Sequence, residues 1–171
     1  MVADELASRW QLGKPRERFR GRIAEGRAGQ PEPGVERPRV ALLWPQTYMN
    51  EAGRSVGPAR GSLKLPLDRV LVIHDEIDLP FGDIRVRTGG GLAGHNGLRS
   101  LRAELGSPDF MRVRVGVGRP ASSDPEIVSA YVLGRFAETS SEVEDLIERA
   151  SDEVERVVAT AAHPESAGAD G

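Results

Sequence analysis

The run RVLVI at positions 69–73 is the feature that most constrains the fold of this chain. A strand with one face in water alternates apolar and polar side chains, whereas an unbroken run of leucine and β-branched residues is typical of a strand covered on both faces. Such a strand needs helices above and below its sheet. Strand-like and helix-like segments do alternate along the sequence. The sequence therefore predicts an α/β fold, a single three-layer α/β/α domain around a mixed, largely parallel sheet.

The remaining elements follow from periodicity and from turn and capping residues. Apolar patterns predict strands at 18–28, 39–45, 84–87 and 112–118. Repeats near 3.6 residues predict helices at 2–10, 98–105 and 143–161, and we expect a short helix at 55–65 that glycine and proline interrupt. Asp124-Pro125 predicts the start of a further helix, and Thr139 with Glu142 forms a capping box before the last one. We expect one domain over residues 1–162 and a disordered tail over 163–171.

Composition narrows the classes of function. The absence of cysteine excludes disulfides, thiol nucleophiles and zinc–thiolate sites, and it fits a reducing cytoplasm. No apolar run approaches the roughly 18 residues of a membrane span, so we expect no membrane partner. Residues 84–120 carry seven arginines and two acids, a local charge of +5, whereas residues 121–171 carry three arginines and twelve acids, a local charge of −9. By itself the basic segment is typical of arginines that face water, although it also suits a phosphate-bearing partner.

The stretch IHDEIDLPFGDIRVRTGGGLAGHNGLRS, residues 73–100, concentrates the groups that can do chemistry. His74 and Asp75 end the central strand, and ligands of open α/β sheets collect beyond the carboxyl ends of strands. A carboxylate there can orient an imidazole or hold a cation, and it can equally cap a loop. A rival interpretation places a divalent metal among His74, Asp75, Glu76 and Asp78. It is disfavoured because neighbouring residues on a strand point to opposite faces.

Glycines and asparagines lie close to these acids. The glycines at 89, 90, 91, 94 and 97 allow a ligand to approach the backbone, but their spacing matches neither a Walker loop nor a dinucleotide fingerprint. Asn96 can cap the helix that follows it or point its amide at a substrate carbonyl. Asn50, in the segment TYMN, is typical of a helix cap by the same reasoning, and Tyr48 and Met49 beside it are typical of a core.

Taken together, three segments resemble the successive signature blocks of bacterial peptidyl-tRNA hydrolases. They are WPQTYMNEAGRSV, VIHDEIDLPFGDIRVRTGGGLAGHNGLRSL and FMRVRVGVGRP, in the family's order and spacing. The resemblance implies a single-domain α/β enzyme without metal or other cofactor that cleaves the ester linking a peptide to the 3′ ribose of tRNA. It also implies a cytoplasmic protein whose partner is peptidyl-tRNA. We expect a monomer, since no feature of the sequence demands an oligomer.

The resemblance assigns roles to residues of this chain. In the family, an aspartate after the central strand orients a histidine that acts as general base on water, and the matching residue is Asp75. The resemblance further implies substrate-binding positions at Tyr48, Asn50, His95 and Asn96, and tRNA-phosphate binding by Arg87 and Arg114. The basic segment thereby acquires a function that its charge alone did not require.

The sequence departs from the family pattern at its beginning. The family starts with a strand, a G-N-P-G turn and a T-R-H-N segment that carries the general-base histidine, and none of these occurs in the 171 residues. We expect that the start codon was assigned downstream and that the first strand is therefore missing. Two alternatives remain: a truncated paralogue that binds RNA without hydrolysing it, and a chain in which His95 substitutes as base. His163, after the last predicted helix, does not match the base position.

Overall fold

The computed structural model describes residues 1–92 and 94–162, so the tail predicted for 163–171, with His163, lies outside the described residues. Five α-helices and six strands form in these ranges. The helices are α1 (Val2–Arg9), α2 (Gly53–Leu63), α3 (Asn96–Leu105), α4 (Pro125–Leu133) and α5 (Ser140–Ala162), with short 3₁₀ helices at Met49–Glu51 and Leu67–Arg69. The strands are β1 (Arg16–Arg18), β2 (Gly21–Arg27), β3 (Arg39–Pro45), β4 (Leu71–Glu76), β5 (Ile84–Thr88) and β6 (Met111–Gly116).

The strands form two three-stranded sheets, with orders β1-β2-β3 and β4-β6-β5. β4 and β6 are parallel, while β1–β2, β2–β3 and β5–β6 are antiparallel. The mixed α/β architecture is confirmed. Antiparallel pairs outnumber parallel ones in the described residues, although we expected a largely parallel sheet. The reason is the connections: β1, β2 and β3 follow one another without an intervening helix, and antiparallel partners need no crossover.

The single strand predicted at 18–28 is interrupted by a hairpin turn. Phe19 and Arg20 have φ angles of +57° and +53°, and β1 and β2 pair on either side of them. Left-handed conformations are uncommon for residues other than glycine, asparagine and aspartate, so neither residue signals a turn. The prediction of one continuous strand was therefore wrong at this point.

The opening prediction, that the central strand is covered on both faces, is confirmed. Leu71 and Ile73 of β4 pack against a cluster formed by Leu6, Trp10, Ala28, Val113, Val115, Leu146, Ala150 and Val154. Val72 packs on the other face, against Leu98, Leu101, Leu105 and Phe110. Helices α1 and α5 thus cover one face of β4, and α3 covers the other, so the carboxyl end of this strand is held from both sides.

Two helix starts form as the capping residues predict. The Asp124 carboxylate accepts a hydrogen bond from the Glu126 amide at 2.8 Å, with Pro125 in the first turn of α4. Before α5, the Thr139 amide donates to Glu142 Oε2 at 2.9 Å, and the Glu142 amide donates to Thr139 Oγ1 at 3.3 Å. Within residues 1–92 and 94–162, no helix is long and apolar enough to cross a membrane.

Replacing Leu6 by alanine tests the packing of α1 on the main core. Leu6 is completely buried, so we expect Leu6→Ala to lower the free energy of unfolding by about 2–5 kcal/mol in denaturant titrations. Leu133→Ala is the matched control, because Leu133 at the end of α4 is 77% exposed and should change stability by less than about 0.5 kcal/mol. Equal losses in the two variants would show that α1 does not belong to the core.

Candidate active site

The carboxyl end of β4 presents three ionisable side chains in succession. His74 and Glu76 are buried, at 8% and 5% exposure, whereas the Asp75 side chain is 34% exposed. Alternation along the strand explains the difference, because successive side chains point to opposite faces. Asp75 is therefore the group at this strand end that both the protein interior and a ligand in solution can reach.

The Asp75 carboxylate faces the imidazole of His95, with 3.8 Å between Oδ1 and Nε2. His95 occupies the N-cap position of α3, where its Nδ1 accepts a hydrogen bond from the Leu98 amide at 3.3 Å. The proton of the neutral ring accordingly sits on Nε2, toward the carboxylate. This imidazole lowers the pKa of Asp75 below its usual value of 3.8, so the carboxylate is ionised at neutral pH. His95 therefore caps α3, and Asn96, which the sequence offered as a possible cap, does not.

His74 lies beside His95 but is held differently. The two rings meet edge to face, with centroids 5.0 Å apart. His74 Nδ1 donates to the Asp75 carbonyl oxygen at 2.7 Å, and burial lowers the pKa of the ring below 6.5. His74 is thus a neutral, buried imidazole that supports the strand end, whereas His95 is the partly exposed ring that shares a surface with Asp75.

The two asparagine segments are brought together by the crossing of α2 and α3. The Gly53 amide donates to Ser100 Oγ at 2.9 Å, and a Cβ built on Gly97 would lie 3.2 Å from Met49 Cγ. The 3₁₀ helix Met49–Glu51, which contains Asn50, therefore borders the first turn of α3, which begins at Asn96. Both asparagines are exposed. Their amides are free to meet a ligand on the side of the site that carries His95.

Two expectations about the TYMN segment were wrong. Tyr48 and Met49 are 82% and 45% exposed instead of lying in the core, because the chain leaves β3 at Pro45 and follows the surface in a 3₁₀ turn. Asn50 does not cap α2, whose N-cap is Ala52. The segment therefore presents polar and aromatic groups outward, where a substrate can touch them.

The two arginines that the resemblance assigns to phosphate have different surroundings. Arg87 is exposed on β5 and lies against Gly90, where an added Cβ would collide with its guanidinium. Arg114 on β6 donates from Nε and Nη2 to Glu76 Oε2, at 3.1 and 3.0 Å, and its side chain is 21% exposed. A phosphate at Arg114 would therefore compete with a buried carboxylate, whereas one at Arg87 would not face that competition.

Sequence reasoning placed Glu76 only in the rival metal site and missed the burial of Arg112. The alternation of arginine with valine in β6 predicts a wet face, yet Arg112 is 2% exposed. The segments around Gly90 and Pro108 bury its side chain. The sequence of β6 itself does not indicate that these segments pack there. Glu76 could have been found as the acid at the end of a strand whose parallel partner carries an arginine on the same face.

The rival metal site finds no support in the arrangement of side chains. Within the described residues, no group of three histidine or acidic side chains converges closely enough to hold a metal ion. Glu76 instead binds Arg114, and Asp78 forms an exposed ion pair with Arg119.

Burial of neutral His74 predicts a pH dependence of stability. Because its pKa in the folded chain lies below 6.5, the unfolded chain binds the proton first, so stability present above this value is lost as the pH falls below it. We expect the free energy of unfolding to fall between about pH 7 and about pH 5, and to fall less in His74→Gln. Denaturant titrations across this range measure both slopes. Asp75 does not interfere, since its contribution is lost only below 3.8. Identical slopes in the two proteins would rule out this role for His74.

The Glu76–Arg114 pair predicts strong coupling between two substitutions. Removing either partner leaves the other charge largely buried, so we expect Arg114→Gln and Glu76→Gln each to cost about 3–5 kcal/mol of stability. The double variant should recover more than half of the summed loss. Arg119→Gln is the control, because Arg119 and Asp78 are both close to half exposed and their pair should contribute less than about 1 kcal/mol. Additive losses in the double variant would contradict the pairing.

Comparisons with known proteins identify the family of this chain. The family model described as peptidyl-tRNA hydrolase matches residues 1–167. The peptidyl-tRNA hydrolase of Parvibaculum lavamentivorans is 46% identical over 154 residues, covering 89% of this chain and 70% of that protein. That of Acidiphilium cryptum is 45% identical, covering 89% of this chain and 75% of that protein.

A solved structure has the same fold. The crystal structure of peptidyl-tRNA hydrolase from Acinetobacter baumannii superimposes with a TM-score of 0.75 at 35% sequence identity, and the match covers 93% of this chain and 75% of that one. The matches in sequence and in fold therefore extend over most of the chain, and they point to the same family as the three signature segments. This chain belongs to the peptidyl-tRNA hydrolase family.

Proposed function

We propose that this chain is a hydrolase that cleaves the ester between the peptide and the 3′ ribose in peptidyl-tRNA, returning the tRNA to translation. Membership of the family over residues 1–167 supports the reaction. The single observation that carries it in the structure is the ionised, partly exposed Asp75 carboxylate at the tip of β4, facing an imidazole beside two exposed asparagines.

The arrangement suits general-base hydrolysis. Water attacks the ester carbonyl carbon as a histidine removes its proton, and negative charge develops on the carbonyl oxygen. The bond to the ribose 3′ oxygen then breaks, and the protonated imidazole returns its proton to that leaving oxygen. The amides of Asn50 and Asn96 are the donors for the developing oxyanion. Asp75 orients the imidazole and stabilises its charged form, and a base positioned in this way contributes on the order of 10²–10⁴-fold.

The identity of the base follows from the family pattern. There the base belongs to a T-R-H-N segment, which does not occur among these 171 residues. Among the described residues, the imidazole that faces Asp75 is His95, whose Nε2 lies 3.8 Å from Oδ1. We assign Oδ2 to the base of the T-R-H-N segment and assign His95 to substrate positioning, because its other nitrogen is already bound by the Leu98 amide.

Substrate RNA binds through the basic side chains around this site. Exposed Arg87 contacts a backbone phosphate directly, and Arg114 does so by exchanging its bond to Glu76. Tyr48, with 82% of its surface exposed, offers a ring next to Asn50. We further propose that the protein acts as a monomer in the cytoplasm, where its substrate is an intermediate of translation.

Replacing the Asp75 carboxylate by an amide tests the mechanism. We expect Asp75→Asn to lower kcat/KM for a diacetylated aminoacyl-tRNA by at least about 10²-fold with unchanged RNA binding, because the amide cannot stabilise an imidazolium. This loss is expected in the chain lengthened at its start by a strand and a T-R-H-N segment of the family pattern, and the 171-residue chain is assayed beside it.

Asp68→Asn is the matched control, since Asp68 is an exposed carboxylate just before β4 and should leave the rate unchanged. Full activity in Asp75→Asn would refute the role of the carboxylate. RNA binding without cleavage in both chain lengths would instead support the non-catalytic alternative. Activity confined to the lengthened chain would place the base in the T-R-H-N segment.

A further inference from the structure

The helix α2 begins without a side-chain cap from its own segment. Its N-cap residue is Ala52, whose methyl group cannot accept a hydrogen bond, and alanine is among the poorer residues at this position. The first amides of a helix have no partner inside it, so they need an acceptor from elsewhere. For α2 the acceptor comes from another helix, because the Gly53 amide donates to Ser100 Oγ of α3 at 2.9 Å. Ser100 therefore caps α2 from across the helix crossing.

The needs of α3 do not explain a serine at this place. Ser100 lies in the interior of α3, where alanine would favour the helix more than serine does. A serine hydroxyl inside a helix often donates back to a carbonyl of the preceding turn, as Ser151 does to Ile147 O in α5 at 2.8 Å. The Ser100 hydroxyl instead accepts a hydrogen bond from a different helix. Its contribution is therefore to the contact between α2 and α3.

The bond joins two points that each lie about one helical turn from an asparagine. Ser100 follows Asn96 by four positions in α3, which places both side chains on one face of that helix. Gly53 follows Asn50 by three positions, and the 3₁₀ helix that contains Asn50 runs into α2 with only Ala52 between them. A displacement of Gly53 is therefore transmitted to Asn50, because no loop separates the two residues.

Glycines keep the two helices close at this crossing. A Cβ on buried Gly53 would lie 2.3 Å from Ser100 O, a distance that no packed side chain tolerates. A Cβ on Gly97, in the first turn of α3, would lie 3.0 Å from His95 Cε1 and 3.2 Å from Met49 Cγ. Backbone thus lies against backbone, and no flexible side chain can take up a change in spacing. The Ser100 bond and these contacts together fix the separation of the two asparagine segments.

This separation matters because two amides are to reach one oxygen. Donors that stabilise a developing oxyanion act when they lie about 2.7–3.1 Å from the position that the oxygen will occupy. A displacement of about 1 Å from the productive geometry can lower the rate about 10²-fold. Asn50 and Asn96 are both exposed, so the packing around their side chains does not hold them. Their placement depends on the helical segments that carry them.

We propose that Ser100 is a positioning residue for the hydrolysis: by capping α2 from α3, it sets the distance between the Asn50 and Asn96 amides that stabilise the oxyanion. This role rests on the proposed function. Ser100 does not contact the substrate, and its hydroxyl acts only by accepting the Gly53 amide. Loss of this hydroxyl should therefore impair stabilisation of the transition state and leave substrate binding in place.

Hydrogen exchange of the Gly53 amide tests the cap in the 171-residue chain without substrate. We expect exchange to become about 10-fold faster in Ser100→Ala, since this amide then has no acceptor. The variant should fold, because alanine favours α3. Ser55→Ala is the matched control: Ser55 is completely buried in the same helix, but its Oγ has no hydrogen-bond partner among the described residues. Equal exchange of Gly53 in Ser100→Ala and in the unsubstituted chain would contradict the cap.

Kinetics on a diacetylated aminoacyl-tRNA test the positioning role, in whichever of the two chain lengths cleaves it. We expect Ser100→Ala to lower kcat by about 10-fold or more with KM nearly unchanged, because the oxyanion exists only in the transition state. Ser55→Ala should leave both constants unchanged. Ser100→Thr keeps the hydroxyl and should regain most of the loss. An unaffected kcat in Ser100→Ala, or an equal loss in Ser100→Thr, would overturn the positioning role.

A double variant separates placement of the amides from a general loss of structure. Asn50→Ala removes the group that Ser100 places, so adding Ser100→Ala to it should lower kcat by less than about 2-fold further. A residue with a purely structural role would lower kcat equally in both backgrounds, and this outcome would contradict only the role of Ser100. Failure of both chain lengths to cleave the ester, with Gly53 still protected by Ser100, would instead contradict the proposed function and show the cap to be structural.

Discussion

The parallel pairing of β4 with β6 is the constraint on which the site depends. It aligns His74 with Arg114 and Glu76 with Gly116, so a strand that ends in acids and a strand that carries arginines meet along one seam. Packing on both faces of β4 holds that seam in register, with Leu71 and Ile73 on one side and Val72 on the other. A shift of one residue would exchange the two faces. The position of Asp75 is therefore a consequence of core packing.

The seam carries more charge than an interior normally tolerates, and each buried charge has its own form of compensation. The charges of Glu76 and Arg114 compensate each other, because Arg114 donates two hydrogen bonds to the Glu76 carboxylate. Arg112 is compensated by three carbonyls and an aromatic ring, an arrangement that fastens a loop at the same time. His74 avoids charge altogether, because burial lowers its pKa. Asp75 is the carboxylate of the seam that is both ionised and accessible, so it is the group that can act on an imidazole.

Much of this was predictable from local sequence patterns, and the rest depends on distant contacts. The run at 69–73, the capping residues Asp124 and Thr139 and the signature segments identify the buried strand, two helix starts and the candidate site. The turn at Phe19 and Arg20 was not predictable, because neither residue type favours a positive φ. Arg112 contacts Gly91 and His95 faces Asp75, and in each case the two residues lie about 20 positions apart in the sequence. The periodicity of a single helix or strand does not predict such contacts.

We propose that Asp75 and the two asparagines form one reaction site. A crystal structure of the chain with an adenosine that carries an amino acid in amide linkage at its 3′ position would test it most directly, since the amide resists hydrolysis and keeps the geometry of the ester. We expect the linkage carbonyl oxygen to accept hydrogen bonds from the Asn50 or Asn96 amide, with its carbon on the side of the Asp75 carboxylate. An analogue bound away from these three residues would contradict it.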